Sequence, residues 1–286
     1  MMNQYQNITL LQFARKHVIS LPKEASVAEA IRIMYRNKIR HIPIYSKTEI
    51  IGVVNTETII EFITLDINLV DFNHDVTEVL STDYRVVSPD FLLFDAVEII
   101  CQNPSTVIII EKNNTILGIY TEIDILDSGF LWHNFTDQPV FSNDVIGTEI
   151  VVNSTNTAER SIYDNLLLMK SLHQNYILLT EEKRIQGVID FFSIIHHIYY
   201  TTYRQGKPIS AVLHQSTYSI FPSSGMWYKE PIFLSKIRSD MHINDLYYAL
   251  IMDKAHRPRR IISARDIISY LIENSDYFDN SFTNKV

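Results

Sequence analysis

A hydroxyl and a carboxylate recur three positions apart where a short apolar stretch gives way to a helical pattern. One copy is Thr121 with Asp124, and another is Ser263 with Asp266. The hydroxyl can cap the helix, and together with the N-terminal amides it makes a site for an anion such as phosphate. Taken alone, this spacing indicates an ordinary helix cap. The pattern therefore indicates a cap or an anion site, and repetition favours the second.

Residues for catalysis or metal binding are not arranged as either chemistry requires. The sequence shows no nucleophile with a nearby base, no glycine-rich phosphate loop and no carboxylate pair spaced for acid and base work. Cys101 is the single cysteine, and a buried, inert thiol is the favoured interpretation. His196 and His197 are adjacent on a predicted helix, so they project in different directions and do not suggest a metal site. We therefore predict a protein that is not an enzyme and has no required cofactor.

The elements that carry these residues repeat along the chain. Each copy has an amphipathic helical pattern with an acidic residue at the same place. The four copies are Ser26 to Met34, Leu92 to Ile100, Ser161 to Met169 and a weaker one, His242 to Leu250. After each helix the pattern predicts a strand, a polar turn, a returning strand and a second helix. The fold class is thus α+β, with four βαββα units of roughly 60 residues.

The spacing within the copies supports a common architecture. The helix markers Ala30, Ala96 and Asn165 each precede a glycine by 22 residues, at Gly52, Gly118 and Gly187. In the fourth copy Leu246 precedes Arg260 by 14, so we expect a hairpin shortened by eight residues. The predicted domains are repeat 1 at 9–66, repeat 2 at 76–128, repeat 3 at 146–200, a linker or insertion at 201–230, and repeat 4 at 231–276.

These units resemble CBS (cystathionine β-synthase) domains from about Thr9 to Asn274. Four in a row is similar to the gamma subunit of AMP-activated protein kinase and to stand-alone archaeal CBS proteins. The resemblance implies that repeats pair into two Bateman modules, because so small a unit cannot bury its sheet alone. We expect repeat 1 to pair with repeat 2 in one compact unit and repeat 3 with repeat 4 in another, joined near 132–146.

The resemblance also assigns the ligand site. The family signature is Gly, apolar, any residue, Thr or Ser, two residues, then Asp, and repeat 2 matches it fully from Gly118 through Thr121 to Asp124. The glycine would let the ligand approach, and the carboxylate would take the ribose hydroxyls. Repeat 4 keeps Ser263 and Asp266 with Arg260 in place of Gly, and repeats 1 and 3 lack the final carboxylate.

Other parts of the site follow by alignment with the family. Phosphate partners would come from the residues at the start of the middle strand, Arg40 and His41 for the Asp124 site, and from Arg257 and Arg259 for the Asp266 site. The adenine would rest on the first strand of each repeat. The aligned residues there are Val86, Val87 and Ser88 in repeat 2, and Ile237 and Arg238 in repeat 4.

Composition limits the function classes. The chain has 25 basic and 33 acidic residues, a net charge of −8, so general attraction to nucleic acid or an anionic membrane is not expected. The N-terminus lacks a signal-peptide pattern, and a cytoplasmic location is expected. We predict a regulator that binds AMP, ADP, ATP or another adenosyl compound and acts on a separate effector protein, with homodimerisation through CBS modules as a further expectation. The alternatives are a scaffold with decayed sites and, less favoured, a nucleic-acid binder.

Overall fold

A computed structural model describes residues 7–65, 71–103, 105–128, 139–140, 146–149, 158–171, 176–181, 184–220, 226–244, 248–255 and 257–273. No helix among these residues is long and apolar enough to cross a bilayer.

Repeats 1 and 2 follow the predicted element order. Repeat 1 comprises β1 (Leu21–Pro22), α1 (Val27–Asn37), β2 (His41–Ser46), β3 (Glu49–Asn55) and α2 (Thr56–Leu65). A 3-10 turn (Val76–Val79) and β4 (Leu80–Ser81) lead to repeat 2, with β5 (Tyr84–Val87), α3 (Leu93–Gln102), β6 (Val107–Lys112), β7 (Thr115–Tyr120) and α4 (Glu122–Ser128). A further 3-10 turn (Leu10–Gln12) lies ahead of β1, within the range 9–66 predicted for repeat 1.

The second half of the chain continues with two short strands, β8 (Pro139–Val140) and β9 (Thr148–Glu149). Repeat 3 has α5 (Ile162–Ser171), β10 (Tyr176–Glu181), β11 (Arg184–Asp190) and α6 (Phe191–Tyr199). After it come a π-helical turn (Tyr200–Arg204), α7 (Ile209–Leu213) and a 3-10 turn (Thr217–Ser219). Repeat 4 has β12 (Met226–Lys229), β13 (Ile232–Phe233), α8 (Leu234–Asn244), β14 (Tyr248–Met252), β15 (Pro258–Ser263) and α9 (Ala264–Glu273).

The four hairpins share one register, which confirms the α+β repeat. In repeats 1 to 3 the residue opposite the marker glycine is Ile44, Ile110 or Leu179, and in repeat 4 Ile251 lies opposite Arg260. Each hairpin has an irregularity in register directly after that residue. A bulge at the same place in every copy is a specific backbone feature rather than a chance similarity of composition.

Repeat 4 corrects the sequence alignment. The expected shortened hairpin is wrong, because β14 and β15 form an antiparallel pair. Its first helix is α8, which lies about as far ahead of Arg260 as α3 lies ahead of Gly118. The first strand of the repeat is β12, so part of the predicted linker at 201–230 belongs to this sheet, where β12 pairs in parallel with β14. The helical pattern from His242 to Leu250 misled the alignment because strand β14 is buried on both faces: Ala249, Leu250 and Ile251 are all 0% exposed.

Two compact units divide the chain, and each combines alternate repeats. One contains Ile19–Thr82 and Val152–Ser224, which hold repeats 1 and 3, and the other contains Met1–Val18, Asp83–Val151 and Gly225–Val286, which hold repeats 2 and 4. The expected grouping of neighbouring repeats into compact units is thus corrected. The physical reason is that the apolar helix faces meet across alternate repeats, α1 and α2 against α5 and α6, and α4 against α9. Most of the expected join at 132–146 lies outside the described residues.

Segments between the repeats extend the sheets. In the first unit β4 adds to β3. In the second, Arg15 forms an isolated bridge with Ile119 of β7, and β9 pairs with β15. Each added segment lies beside the strand that ends at the cap of the last helix. The edge of that strand is thereby covered at the position where the ligand signature was found.

Candidate functional site

Thr121 and Asp124 form a capping box at the start of α4. The Thr121 backbone N–H and its Oγ1 hydroxyl both donate to Asp124 Oδ2, each at 2.8 Å. The Asp124 N–H donates to the Thr121 carbonyl at 3.0 Å. The carboxylate in the first turn therefore satisfies an N-terminal amide that would otherwise lack a partner.

Arg15 occupies the other oxygen of Asp124. Its Nε donates to Asp124 Oδ1 at 2.6 Å, while the Arg15 side chain is 51% exposed and that of Asp124 is 4% exposed. Burial raises the pKa of Asp124, and the Arg15 charge and the Thr121 hydrogen bonds oppose that rise. Both carboxylate oxygens are thus engaged. Sequence analysis missed Arg15 because it lies 109 residues away, in a segment with no repeated pattern.

Gly118 makes room for the same segment. A Cβ atom on Gly118 would lie 3.0 Å from the Ala14 Cβ and 3.3 Å from the Arg15 carbonyl oxygen. The segment ahead of β1, at Ala14 and Arg15, therefore makes the close approach to this glycine. The approach of a ligand at Gly118 stays a prediction.

Ser263 and Asp266 repeat the cap at the start of α9. Asp266 Oδ2 accepts from the Ser263 N–H and from its hydroxyl, both at 2.7 Å, and the Asp266 N–H donates to Ser263 Oγ at 3.2 Å. Asp266 Oδ1 has no hydrogen bond within the described residues, and the side chain is partly exposed. Arg260, which stands in the glycine place, donates to the Gly147 carbonyl at 3.0 Å. The carboxylate of repeat 4 therefore has an oxygen that can accept further hydrogen bonds.

Repeats 1 and 3 use the reversed cap. Asn55 Oδ1 accepts from the Thr58 N–H at 2.8 Å. Asp190 Oδ1 accepts from the Ser193 N–H at 2.8 Å and from its hydroxyl at 2.7 Å. The acceptor lies at the cap position here and the hydroxyl three residues later, so these two repeats lack a carboxylate at the signature position.

Arg40 contacts the cap of repeat 3. Its Nη2 lies 2.8 Å from Asp190 Oδ2, and its guanidinium lies 5.7 Å from the Phe192 ring centroid. His41 is partly buried at the start of β2, opposite Asn55. The use of Arg40 and His41 with a ligand at Asp124 stays a prediction.

Of the three residues predicted on the first strand of repeat 2, Val86 is the exposed apolar one. Val87 packs against the buried core of the unit that holds repeats 2 and 4. Ser88 hydrogen-bonds Asp90 and helps to lower the pKa of that carboxyl. Val86 points to the other face and is 46% exposed. Because side chains alternate along a strand, Val86 shares the face of Thr121.

The corresponding residues of repeat 4 are corrected. Ile237 and Arg238 lie on helix α8, not on the first strand, and Ile237 is fully buried. The register of β12 places Trp227 opposite Leu250, as Val86 is opposite Ile109. Trp227 therefore takes the place of Val86, and its side chain is 37% exposed. The missed signal was an aromatic, alternating stretch in a segment interpreted as a linker.

Arg257 and Arg259 also lie elsewhere than predicted. Both donate through Nε to Asp253 Oδ2 at 3.0 Å, in the turn between β14 and β15. The Arg257 backbone N–H and the two side chains hold the pKa of Asp253 down at about 2. Ser263 is at the other end of β15, about 13 Å from Arg259 along the strand. Tyr248 lies opposite Ser263 in repeat 4, as His41 lies opposite Asn55 in repeat 1. Tyr248, and not Arg257, is therefore the residue of repeat 4 that corresponds to His41.

Groups for other chemistry are sparse in the described part of the chain. No cluster of three or more His, Cys, Asp or Glu side chains among those residues is placed to hold a metal ion. Burial raises the pKa of the Cys101 thiol to about 12, which makes it a poor nucleophile. The caps and the strands beside them can bind a ligand by hydrogen bonds and packing.

Comparison with known proteins identifies the repeat. The CBS domain family model matches residues 11–65 and 76–129. Protein MJ1232 from Methanocaldococcus jannaschii is 26% identical over 132 residues, which make up 45% of this chain and 43% of that protein. The chain thus matches less than half the length of this relative.

Solved structures share the whole fold. Protein MJ1225 from Methanocaldococcus jannaschii, described as a candidate archaeal homologue of g-AMPK, has a TM-score of 0.77 at 17% identity and covers 92% of this chain and 99% of its own. A conserved protein from Pyrococcus horikoshii has a TM-score of 0.51 at 12% identity and covers 93% and 100%. At these identities the likeness concerns the fold, and it extends over repeats 3 and 4. The family model thus identifies residues 11–65 and 76–129 as CBS domains, and the rest of the chain shares the fold of these solved structures.

Proposed function

We propose that this protein is a regulatory sensor without catalytic activity, which binds an adenine nucleotide at the capped helices of repeats 2 and 4. The site of repeat 4 is the primary one. The observation that carries the proposal is the Ser263 and Asp266 cap, in which one carboxylate oxygen is used by the helix and the other can accept hydrogen bonds.

The helix N-terminus supports the phosphate part of the proposal. The amides of the first turn of α9 concentrate hydrogen-bond donors at one place, and the helix dipole favours an anion there. A ribose has two adjacent hydroxyl groups, which can donate hydrogen bonds to a carboxylate oxygen such as Asp266 Oδ1. The helix N-terminus thus suits the phosphate of a nucleotide, and the carboxylate suits its ribose.

Trp227 supports the adenine part. It lies on the same face of the sheet as Ser263, since Trp227, Leu250 and Ile261 are opposite one another and Ser263 is two residues further along β15. The separation from β12 to β15 is two strand spacings, about 10 Å. A nucleoside spans a comparable distance, and an exposed indole is a favourable surface for a planar base.

The site of repeat 2 is proposed to be weaker. Asp124 already accepts three hydrogen bonds, including the one from Arg15, and Val86 stands where repeat 4 has Trp227. A ligand there has to share Asp124 with Arg15 or displace it. The cost of that exchange lowers affinity at repeat 2 relative to repeat 4.

The regulatory part of the proposal follows from the family and from the nature of the site. The caps offer hydrogen-bond donors and acceptors and no activated nucleophile, which suits binding rather than turnover. A nucleotide transmits information only if it binds two conformations with different affinity. The proposed receiver is a separate effector protein.

Calorimetry on the full chain with AMP, ADP and ATP tests the proposal. We expect at least one nucleotide to bind, and Asp266→Ala to weaken it by about tenfold to a hundredfold, the worth of a charge-assisted hydrogen bond of about 1.5–3 kcal/mol. Saturation at 100 times the dissociation constant should raise the unfolding free energy by about 2.7 kcal/mol.

Asp164→Ala is the matched control. Asp164 accepts from the Ser161 hydroxyl at 2.7 Å in the same kind of cap, at the start of α5 and away from the signature. Its loss should leave nucleotide affinity unchanged. If none of the three nucleotides binds, or if both variants bind as the unmutated protein does, the sensor proposal fails and the scaffold with decayed sites takes its place.

A further inference from the structure

A cavity lies within the unit of repeats 1 and 3, and none of the residues that form the caps of repeats 2 and 4 lines it. It has a volume of about 450 Å³, between helix α6, the π-helical turn and the segment that ends at Ile220. Tyr35 of α1 forms part of one wall. The volume is in the range of small-molecule sites, and π-helical turns are frequent at such sites.

Aromatic rings form the flat part of the lining. The rings of Tyr35 and His196 stack with centroids 4.4 Å apart and an interplanar angle of 21°. Tyr200, in the π-helical turn, also lines the cavity and is 48% exposed. A planar ring entering the cavity meets π surfaces on which it can stack.

His197 brings a weakly held donor into the cavity. Its Nε2 lies 3.3 Å from Ser219 Oγ, 3.4 Å from Thr201 Oγ1 and 3.4 Å from Gln215 Oε1. Ser219 Oγ donates to the Ser216 carbonyl at 2.7 Å, so Nε2 can donate to the surrounding oxygens in the tautomer that carries its hydrogen there. All three distances exceed those of strong hydrogen bonds, and this N–H is therefore available to a better acceptor.

The charge of the lining selects for an anion. Lys207 is the one fully charged side chain among the described lining residues, and no carboxylate lines the cavity there. Burial lowers the pKa of both His196 and His197, so both rings are neutral at pH 7 and add no charge of their own. A carboxylate ligand would be attracted by Lys207 and would accept from His197.

From these contacts we infer that the cavity binds a small planar aromatic carboxylate, with its ring against Tyr35, His196 or Tyr200 and its carboxylate between Lys207 and His197. This site does not depend on the nucleotide proposal, because it shares none of the residues of the Asp124 and Asp266 caps. It gives the protein a second class of ligand.

Titration of the full chain with three probes tests the inference. Nicotinate has the ring and the charge, nicotinamide keeps the ring without the charge, and cyclohexanecarboxylate keeps the charge without the aromatic ring. We expect saturable binding of nicotinate, with affinity at least about fivefold lower for each of the other two. The imidazole signals of His196 and His197, followed by NMR and assigned with His197→Gln, should shift with nicotinate occupancy.

Variants locate the site. Lys207→Gln, on an exposed side chain, should weaken nicotinate at least about fivefold with an unchanged melting temperature. Lys170→Gln is the control, since Lys170 is an exposed lysine on α5 in the same unit and does not line the cavity. Absence of saturation at about 10 mM nicotinate, equal affinity for nicotinamide, or binding unaffected by Lys207→Gln would each overturn the inference.

Discussion

Replacing Arg15 by Gln should destabilise the protein because it removes the counter-ion of a buried carboxylate. Asp124 is 3% exposed, and its Oδ1 accepts from Arg15 Nε at 2.6 Å. Breaking a fully buried pair costs about 3–5 kcal/mol, and losing a fully exposed one costs about 0–1 kcal/mol. The Arg15 side chain is 51% exposed, so solvent screens the pair partly. We expect a loss of about 2 kcal/mol at pH 7.5.

The loss should depend on pH in a defined direction. The pKa of Asp124 in the folded protein is raised above its ordinary value of 3.8 by burial, and without Arg15 it rises further. A raised carboxyl pKa gives stability that is full below the unfolded value and declines as pH rises through the folded value. The destabilisation by Arg15→Gln should therefore be smallest at the lowest pH, where protonation of Asp124 is most favoured, and should grow as the pH rises.

Chemical denaturation monitored by circular dichroism, at pH 5, 6.5 and 8, measures these free energies. Asp124→Asn in the Arg15→Gln background should remove the pH dependence, since no buried charge remains. Arg257→Gln is the control, because Arg257 pairs with Asp253 through a side chain that is 66% exposed. A loss that is constant from pH 5 to 8, or no larger than that of the control, would refute this account of Asp124.

Three further outcomes are expected. Gly118→Ala should lower the free energy of thermal unfolding by about 1–3 kcal/mol, because the new Cβ would lie 3.0 Å from the Ala14 Cβ. Ala14→Gly should restore much of that loss. No destabilisation by Gly118→Ala would mean that the segment around Ala14 can shift freely. Cys101 should react with iodoacetamide at pH 8 at least about tenfold more slowly in the folded protein than in the denatured chain, since burial raises its pKa to about 12; equal rates would contradict its burial. In a Trp132→Phe background Trp227 is the only tryptophan, and its fluorescence should change on nucleotide binding; an unchanged signal at saturation would exclude base stacking there.

Local pattern was sufficient for much of repeats 1 to 3. Apolar stretches on either side of a polar turn predicted both strands of each hairpin, and the cap at Thr121 was recognisable because a capping box is formed by residues only three positions apart. These features depend on neighbours along the chain. Their geometry therefore hardly changes with the tertiary environment.

Repeat 4 shows where local pattern fails. A strand buried on both faces is an unbroken apolar run, and Tyr248–Met252 is indistinguishable by periodicity from the last turns of a helix. The alignment moved by eight residues for this reason, and Ile237 and Arg238 were assigned to a strand. Only the pairing of β12 with β14 placed Trp227 at the position that the sequence had given to them.

By itself, the sequence determined the βαββα repeat, its number and the caps of Thr121 with Asp124 and of Ser263 with Asp266, since each depends on interactions within about 30 residues. The tertiary structure decided the grouping of alternate repeats and the contact of Arg15 with Asp124, which are separated by 109 residues. Such contacts arise because apolar faces and buried charges take whichever partner the folded chain brings within reach. No spacing in a single sequence encodes that choice.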